Sequence, residues 1–208
     1  KVYVDPFLDL AVIETQPDKG RKLAAAELEC RDQPAMGHPV GAYGHPWLFY
    51  YTGTRGIVSG VTSKYRTEYL QTDAPIDSGN SGGPLLNDRG EAIGINTFIY
   101  RPQADFEAIN FALSAKVASR EIADIREHGV VIRANLGLIE GVMIDEGIAV
   151  QQNFAQNPYS LGMLIQSVEE GSPLDGQLKA CDVIDRIDGA PIRSAGDFNN
   201  ALMWGKSG

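Results

Sequence analysis

The chain has 208 residues, 43% of them apolar and 22% charged, with a net charge of −9 from 18 basic and 27 acidic side chains. That length admits one large domain or two ordinary ones of globular composition. The acidic balance, without any basic cluster, argues against binding nucleic acid by neutralising phosphates, and no apolar run approaches the roughly 20 residues that cross a bilayer.

No signal-peptide pattern opens the chain. It starts in Lys1-Val2-Tyr3-Val4, a strand already under way, so a processed or truncated start is expected. From residue 1 to about 115, short β-type runs alternate with turn residues: Leu8–Glu14, Pro39–Tyr43, Phe49–Gly60, Tyr65–Thr72, Gly83–Leu86, Ala92–Phe98 and Ala108–Leu113. Such runs with Gly/Pro punctuation predict an antiparallel sandwich or barrel. Ser114–His128 then reads as a helix, with Ser114 as N-cap, Val117, Ile122 and Ile125 near one face, and Gly129 closing it. A second unit begins near Ile132, with strands at Gly141–Ile144, Met163–Val168 and Val183–Ile187. A hairpin turn is expected at Asp188-Gly189 and a helix over Ser194–Met203 capped by Ser194. Cys30 and Cys181 are far apart and suit buried structural roles rather than a disulfide. Three histidines without metal-ligand spacing predict no metal site, and no cofactor is expected.

The most chemically loaded stretch is Asp77-Ser78-Gly79-Asn80-Ser81-Gly82-Gly83-Pro84. Glycines let this loop bend sharply and aim backbone N–H groups inward. A serine oxygen beside such amides can attack an acyl carbon while the amides stabilise the oxyanion. On composition alone a plain Gly/Asn/Ser turn between two strands is the favoured reading.

The flanking residues separate these readings. Gln71 through Leu86, with the following Gly90-Glu91-Ala92-Ile93-Gly94-Ile95-Asn96-Thr97, resembles the nucleophile segment of the HtrA (DegP-like) serine proteases. Asp9-Leu10-Ala11-Val12-Ile13 resembles the segment carrying that family's triad aspartate. Gly56-Ile57-Val58-Ser59-Gly60 and Ile109-Asn110-Phe111-Ala112-Leu113 resemble the strand before the nucleophile loop and the strand lining the substrate cleft. Residues 132–208 resemble a PDZ domain of the same proteins. Several linked motifs in order are stronger than one Gly-x-Ser-x-Gly-type match.

The resemblance implies a mainly β chain: a chymotrypsin-like double β-barrel over 1–129, its first barrel largely absent, and a PDZ domain over 130–208 whose last strand is expected beyond Gly208. It implies Ser81 as nucleophile, the amides of Gly79 and Ser81 as oxyanion hole, and Asp9 as orienter of a histidine. Ile76, Ile109 and Asn110 would line the substrate pocket, both isoleucines being equally candidates for plain barrel core. Asn110 stands where the family usually has glycine, and its side chain would narrow the cleft. No acidic residue sits at the expected pocket base, so small or medium aliphatic residues should be preferred. Gly137, Leu138 and Ile139 would form a carboxylate-binding loop for protein C-termini, the alternative being a simple strand entry. Unfolded or damaged polypeptides as substrates, a trimer and an extracytoplasmic, periplasmic or envelope location follow from the resemblance only.

The base is the missing part. The order of the chymotrypsin-like triad is His, Asp, Ser, which puts the histidine before Asp9 and so upstream of Lys1. His38, His45 and His128 all read as structural. Two alternatives stay open: a segment lacking most of a first barrel, or a catalytically silent scaffold that binds peptides. A processing protease with one dedicated substrate is a third.

Overall fold

The computed structural model describes residues 1–46, 49–63, 67–100, 108–133, 137–144 and 161–204. The expected loop Asp145–Ser160 and Leu136 lie outside them. The chain divides into two compact units, Lys1–Thr62 with Glu68–Val131, and Ser63–Thr67 with Ile132–Gly208.

In the first unit, β1 (Val2–Asp5) and β2 (Leu10–Ile13) form an antiparallel hairpin. Asp5 makes its turn: the buried carboxylate accepts from the N–H groups of Phe7 (3.3 Å) and Leu8 (3.1 Å). Short acidic side chains close turns in this way by bonding the backbone just ahead of them. Six strands follow: β3 (Pro39–Gly44), β4 (Thr52–Thr62), β5 (Tyr69–Thr72), β6 (Pro84–Asn87), β7 (Ala92–Tyr100) and β8 (Ile109–Ser114). They close in the order β3-β4-β5-β8-β7-β6, which leaves no open sheet edge. Alternate residues turn inward, so Val40, Ala42, Val58, Leu70, Ala74, Ile76, Leu85, Ile93 and Ala112 make one core.

Two departures from the expected strands have local causes. Phe49–Tyr51 form a turn rather than the start of β4: Phe49 N–H bonds Pro46 O at 2.9 Å and Tyr51 takes φ +58°. In the run expected at Tyr65–Thr72, the strand begins at Tyr69, and residues 64–66 lie outside the described set.

Between β2 and β3 an exposed irregular stretch ends in an arm laid along β7. Ala92 N–H donates to Glu27 O (2.8 Å), and Glu29 N–H donates to Ala92 O (3.0 Å). The Glu29 carboxylate is buried against the arm, 2.7 Å from the Arg31 guanidinium and 3.8 Å from that of Arg89. Hydrogen bonds from Arg31 hold its pKa down from the ordinary 4.5 to about 2. The helix α1 (Ala115–His128) closes the unit, the Ser114 hydroxyl accepting from Val117 N–H and Gly129 ending it at φ +78°.

In the second unit, β9 (Leu138–Ile144), β10 (Gly162–Val168) and β11 (Val183–Ile184) form a sheet in the order β11-β10-β9. β12 (Arg186–Ile187) and β13 (Ala190–Pro191) are joined by Asp188-Gly189, both at positive φ. That conformation at both central residues is what a type I′ hairpin requires. The expected single strand Val183–Ile187 is broken at Asp185, whose carbonyl instead accepts from Ile192 N–H. The helix α2 (Ala195–Trp204) starts at Ser194, whose hydroxyl accepts from Asp197 N–H at 3.0 Å. Met163, Ile165, Ile192 and Phe198 form the core. Cys30 and Cys181 are both free; Cys181, expected to be buried, is exposed. It sits at φ +75° in the turn Lys179–Asp182, its N–H held by Ile165 O, which directs the side chain outward.

Candidate active site

The segment from Asp73 to Gly83 crosses between β5 and β6, and the barrel wall fastens it at close intervals. Thr72, at the end of β5, donates its hydroxyl to Ile57 O (2.7 Å) and accepts from Ala74 N–H (3.0 Å). The Asp73 carboxylate accepts from Ile57 N–H (2.6 Å), and Thr54 donates to Pro75 O (2.7 Å). From β8, the Asn110 side-chain amide donates to Ala74 O (3.0 Å). Three strands therefore hold the approach to the serine before the glycines begin.

Within the loop most amides are committed. Ser78 N–H bonds the Asp77 carboxylate (2.7 Å), Asn80 N–H bonds Asp77 O (2.9 Å), Gly82 N–H bonds Asn96 O (2.8 Å) and Gly83 N–H bonds Asn80 O (2.9 Å). Among the described residues, the amides of Gly79 and Ser81 have no hydrogen-bond acceptor. Two uncommitted N–H groups in one loop are a donor set of the kind that can hold an oxyanion.

Glycine is required at two of these positions for different reasons. Gly79 has φ +104°, and a Cβ there would collide with the carbonyl oxygen of His45, which lies across the loop. A Cβ on Gly83 would run into Tyr43 O in the neighbouring β3. Asn80, between them, is 2% exposed with its side chain over Gly44.

Ser81 is exposed, and its hydroxyl donates to Thr97 O at 3.3 Å. Thr97 is the extra residue of a β-bulge between Asn96 and Phe98 in β7. Bulges re-aim backbone groups next to such sites, and here the displaced carbonyl meets the serine.

The other sequence-chosen residues take separate places. Asp9 is exposed in the hairpin turn at φ +56°, and among the described residues no hydrogen bond joins it to Ser81 or to the loop. Ile76 is 5% exposed within the barrel core, whereas Ile109, at the start of β8, is 41% exposed. Asn110 is 4% exposed, its Nδ2 on Ala74 O and its Oδ1 without a partner among the described residues. Gly137 precedes β9 at φ +71°, its carbonyl accepting from Glu169 N–H (2.7 Å). Leu138 and Ile139 open β9, one of the two outer strands of its three-stranded sheet. Sequence reasoning overlooked Thr72, Asp73 and Thr54, the polar side chains that anchor the loop, and Asp5, which shapes the turn bearing Asp9. An Asp-Pro pair at 5–6 is a turn signal; the anchoring threonines carry none.

A closed antiparallel barrel with a glycine-framed serine between β5 and β6 is the arrangement of a trypsin-like peptidase, and residues 1–95 match the family described as the trypsin-like peptidase domain. The chain is 35% identical over 202 residues, 95% of its length, to a probable periplasmic DegP-like serine endoprotease of Marinomonas sp. (strain MWYL1). It spans 42% of that relative, about two fifths of the curated proteins it matches. Among solved structures it is similar to the HtrA-type protease AlgW with a decapeptide, at 30% identity and a TM-score of 0.78 over 99% of this chain and 63% of that one. A variant of AlgW with a tripeptide gives 30% identity and a TM-score of 0.74, covering 97% of this chain and 67% of that one. Over nearly its whole length, then, the chain is similar to HtrA-type, DegP-like serine endoproteases, and its first part carries the trypsin-like peptidase domain.

Proposed function

We propose that this chain carries the nucleophile half of an extracytoplasmic serine endopeptidase that cleaves unfolded or damaged polypeptides through an acyl-enzyme. The observation behind this reading is that the Gly79 and Ser81 amides have no acceptor among the described residues while those of Ser78, Asn80, Gly82 and Gly83 around them are bonded. The Ser81 hydroxyl attacks the scissile carbonyl, and the carbonyl oxygen gathers negative charge between the two N–H groups. Losing one such donor typically costs about 2.7–4 kcal/mol of transition-state stabilisation.

A free hydroxyl is a weak nucleophile and needs a base. In this reading the base is a histidine encoded ahead of Asp9, and Asp9 holds its tautomer and stabilises its charged form. Ile109 and Asn110, together with Ile76, are assigned by the resemblance to a pocket for small or medium aliphatic side chains. The curated relative's periplasmic name supports the location, and a trimer is proposed from the family resemblance.

The second unit is proposed to be a PDZ domain. Its β9 has an unpaired edge among the described residues, and an extended peptide can add there as a further strand. Gly137, Leu138 and Ile139 would then receive the terminal carboxylate. A peptide with a free apolar C-terminus should bind the full-length protein and its amidated form should not; equal binding of both overturns carboxylate capture.

A second reading, a silent peptide-binding scaffold, is favoured by one observation: among the described residues no imidazole is hydrogen-bonded to Ser81. A fluorophosphonate probe separates the two. The full-length protein should label at Ser81 and hydrolyse unfolded casein, with both lost in Ser81→Ala. Labelling that persists in that variant removes Ser81 from the role, and absence of both activities in the native protein favours the scaffold.

A further inference from the structure

The turn from β3 into β4 carries a group of rings, and its backbone is bonded to the nucleophile loop. His45 N–H donates to Gly79 O at 3.0 Å. The His45 imidazole meets the Tyr50 ring edge-on at 5.6 Å and lies 5.3 Å from the Tyr51 ring, tilted by 56°. Neither tyrosine is there to fill a core, since Tyr50 is 77% and Tyr51 90% exposed. Tyr51 moreover holds φ +58°, a left-handed conformation that bulky side chains rarely adopt. Strained backbone that keeps a large ring in water points to a use for the ring.

The occupant follows from the position. A polypeptide whose scissile carbonyl sits at the Gly79 and Ser81 amides runs on at about 3.3 Å per residue in both directions. The backbone of His45, whose imidazole packs on both tyrosine rings, is bonded to Gly79 O, so the rings flank the nucleophile loop on the path of a substrate segment within a few residues of the scissile bond. Tyrosine rings hold apolar and aromatic groups by offset or edge-to-face contact, and their few rotatable bonds limit the entropy lost on binding.

We propose that Tyr50 and Tyr51, positioned by His45, form a specificity subsite for an apolar or aromatic substrate side chain flanking the scissile bond. This rests on Ser81 being the nucleophile. The subsite is separate from the expected pocket of Ile76, Ile109 and Asn110, which belongs to β8 and the segment entering the loop.

The test compares the full-length native protein with the Tyr50→Ala/Tyr51→Ala double variant and a Tyr50→Phe/Tyr51→Phe control. Peptides differ only in the residues flanking the scissile bond, either aromatic and aliphatic or glycine and serine. The alanine variant should lose about threefold to tenfold in kcat/KM, mainly through KM, on the apolar peptides, and stay within twofold on the polar ones. The phenylalanine control should retain the preference, and labelling of Ser81 by a small fluorophosphonate should match the native rate. An equal loss on every peptide, no loss on any, or a changed sedimentation coefficient marking the rings as a contact between copies overturns the subsite. Failure of the native protein to label at Ser81 instead overturns the nucleophile reading on which the subsite depends.

Discussion

The nucleophile loop and the β1–β2 hairpin hold the two proposed catalytic side chains in opposite ways. The loop has its ends in strands of a closed barrel, with Thr54, Thr72, Asp73 and Asn110 bonded across its approach. The hairpin is a two-stranded ribbon whose turn is organised by its own Asp5, and its Val2, Val4 and Ile13 are more than 60% exposed. An isolated two-stranded ribbon is marginal in water. The serine is thus over-determined locally, while the aspartate depends on whatever covers its ribbon. Changes in the loop should disturb structure and chemistry together, and changes at Asp9 should disturb chemistry alone.

The largest effect tests that last clause. Asp9→Asn should leave thermal stability within about 0.5 kcal/mol, as an exposed substitution does, while kcat falls by roughly four orders of magnitude. Parallel loss of stability would erase the contrast. Gly79→Ala comes next: the left-handed φ and the His45 carbonyl force the loop to move, so kcat should fall about 10²–10³-fold, with a lowered melting temperature. Thr72→Val, read by denaturant unfolding of the first unit, removes a buried hydroxyl that bonds both Ile57 O and Ala74 N–H. About 1–3 kcal/mol should be lost, the cost of leaving such partners unpaired, and labelling of Ser81 should slow as its anchor loosens.

The smallest effect is one of pH. The Glu29 carboxyl has its folded pKa lowered from 4.5 to about 2. Its stabilisation is therefore complete above about pH 4.5 and disappears as pH falls toward 2. Unfolding curves of the native protein and Glu29→Gln should converge through that window and run parallel above it; curves parallel throughout would remove Glu29 from the account.

Much of the fold was legible because single residues carry local rules. Ser114 and Gly129 bracket α1 as cap residues should, and Asp188-Gly189 makes the expected tight turn. The Gly-Asn-Ser-Gly-Gly run declared the loop. What escaped depends on distant partners. Phe49-Tyr50-Tyr51 has strong β propensity, yet a left-handed Tyr51 turns it out of the sheet. Val183–Ile187 looks continuous, yet its two halves pair with different strands, β10 and β13. The Gly79 and Ser81 amides were named through the resemblance alone; that Asn96 O takes the Gly82 amide and that the bulged Thr97 O meets the Ser81 hydroxyl could not be read, since both come from the distant β7.

The arm along β7 has a mechanical meaning for the ribbon that carries Asp9. From Glu14 to Ala26 the chain is exposed and irregular, so these residues act as a tether, and the stitch at Glu27–Glu29 sets where the tether is tied. Were that knot undone, the free length would run on to Pro39. The local concentration of Asp9 near the serine falls roughly as the −3/2 power of such a length, so near-doubling the tether would dilute it about threefold. If Asp9 serves Ser81 as proposed, Glu29 and Arg31, far in sequence from both, would thereby influence how often the aspartate is within reach.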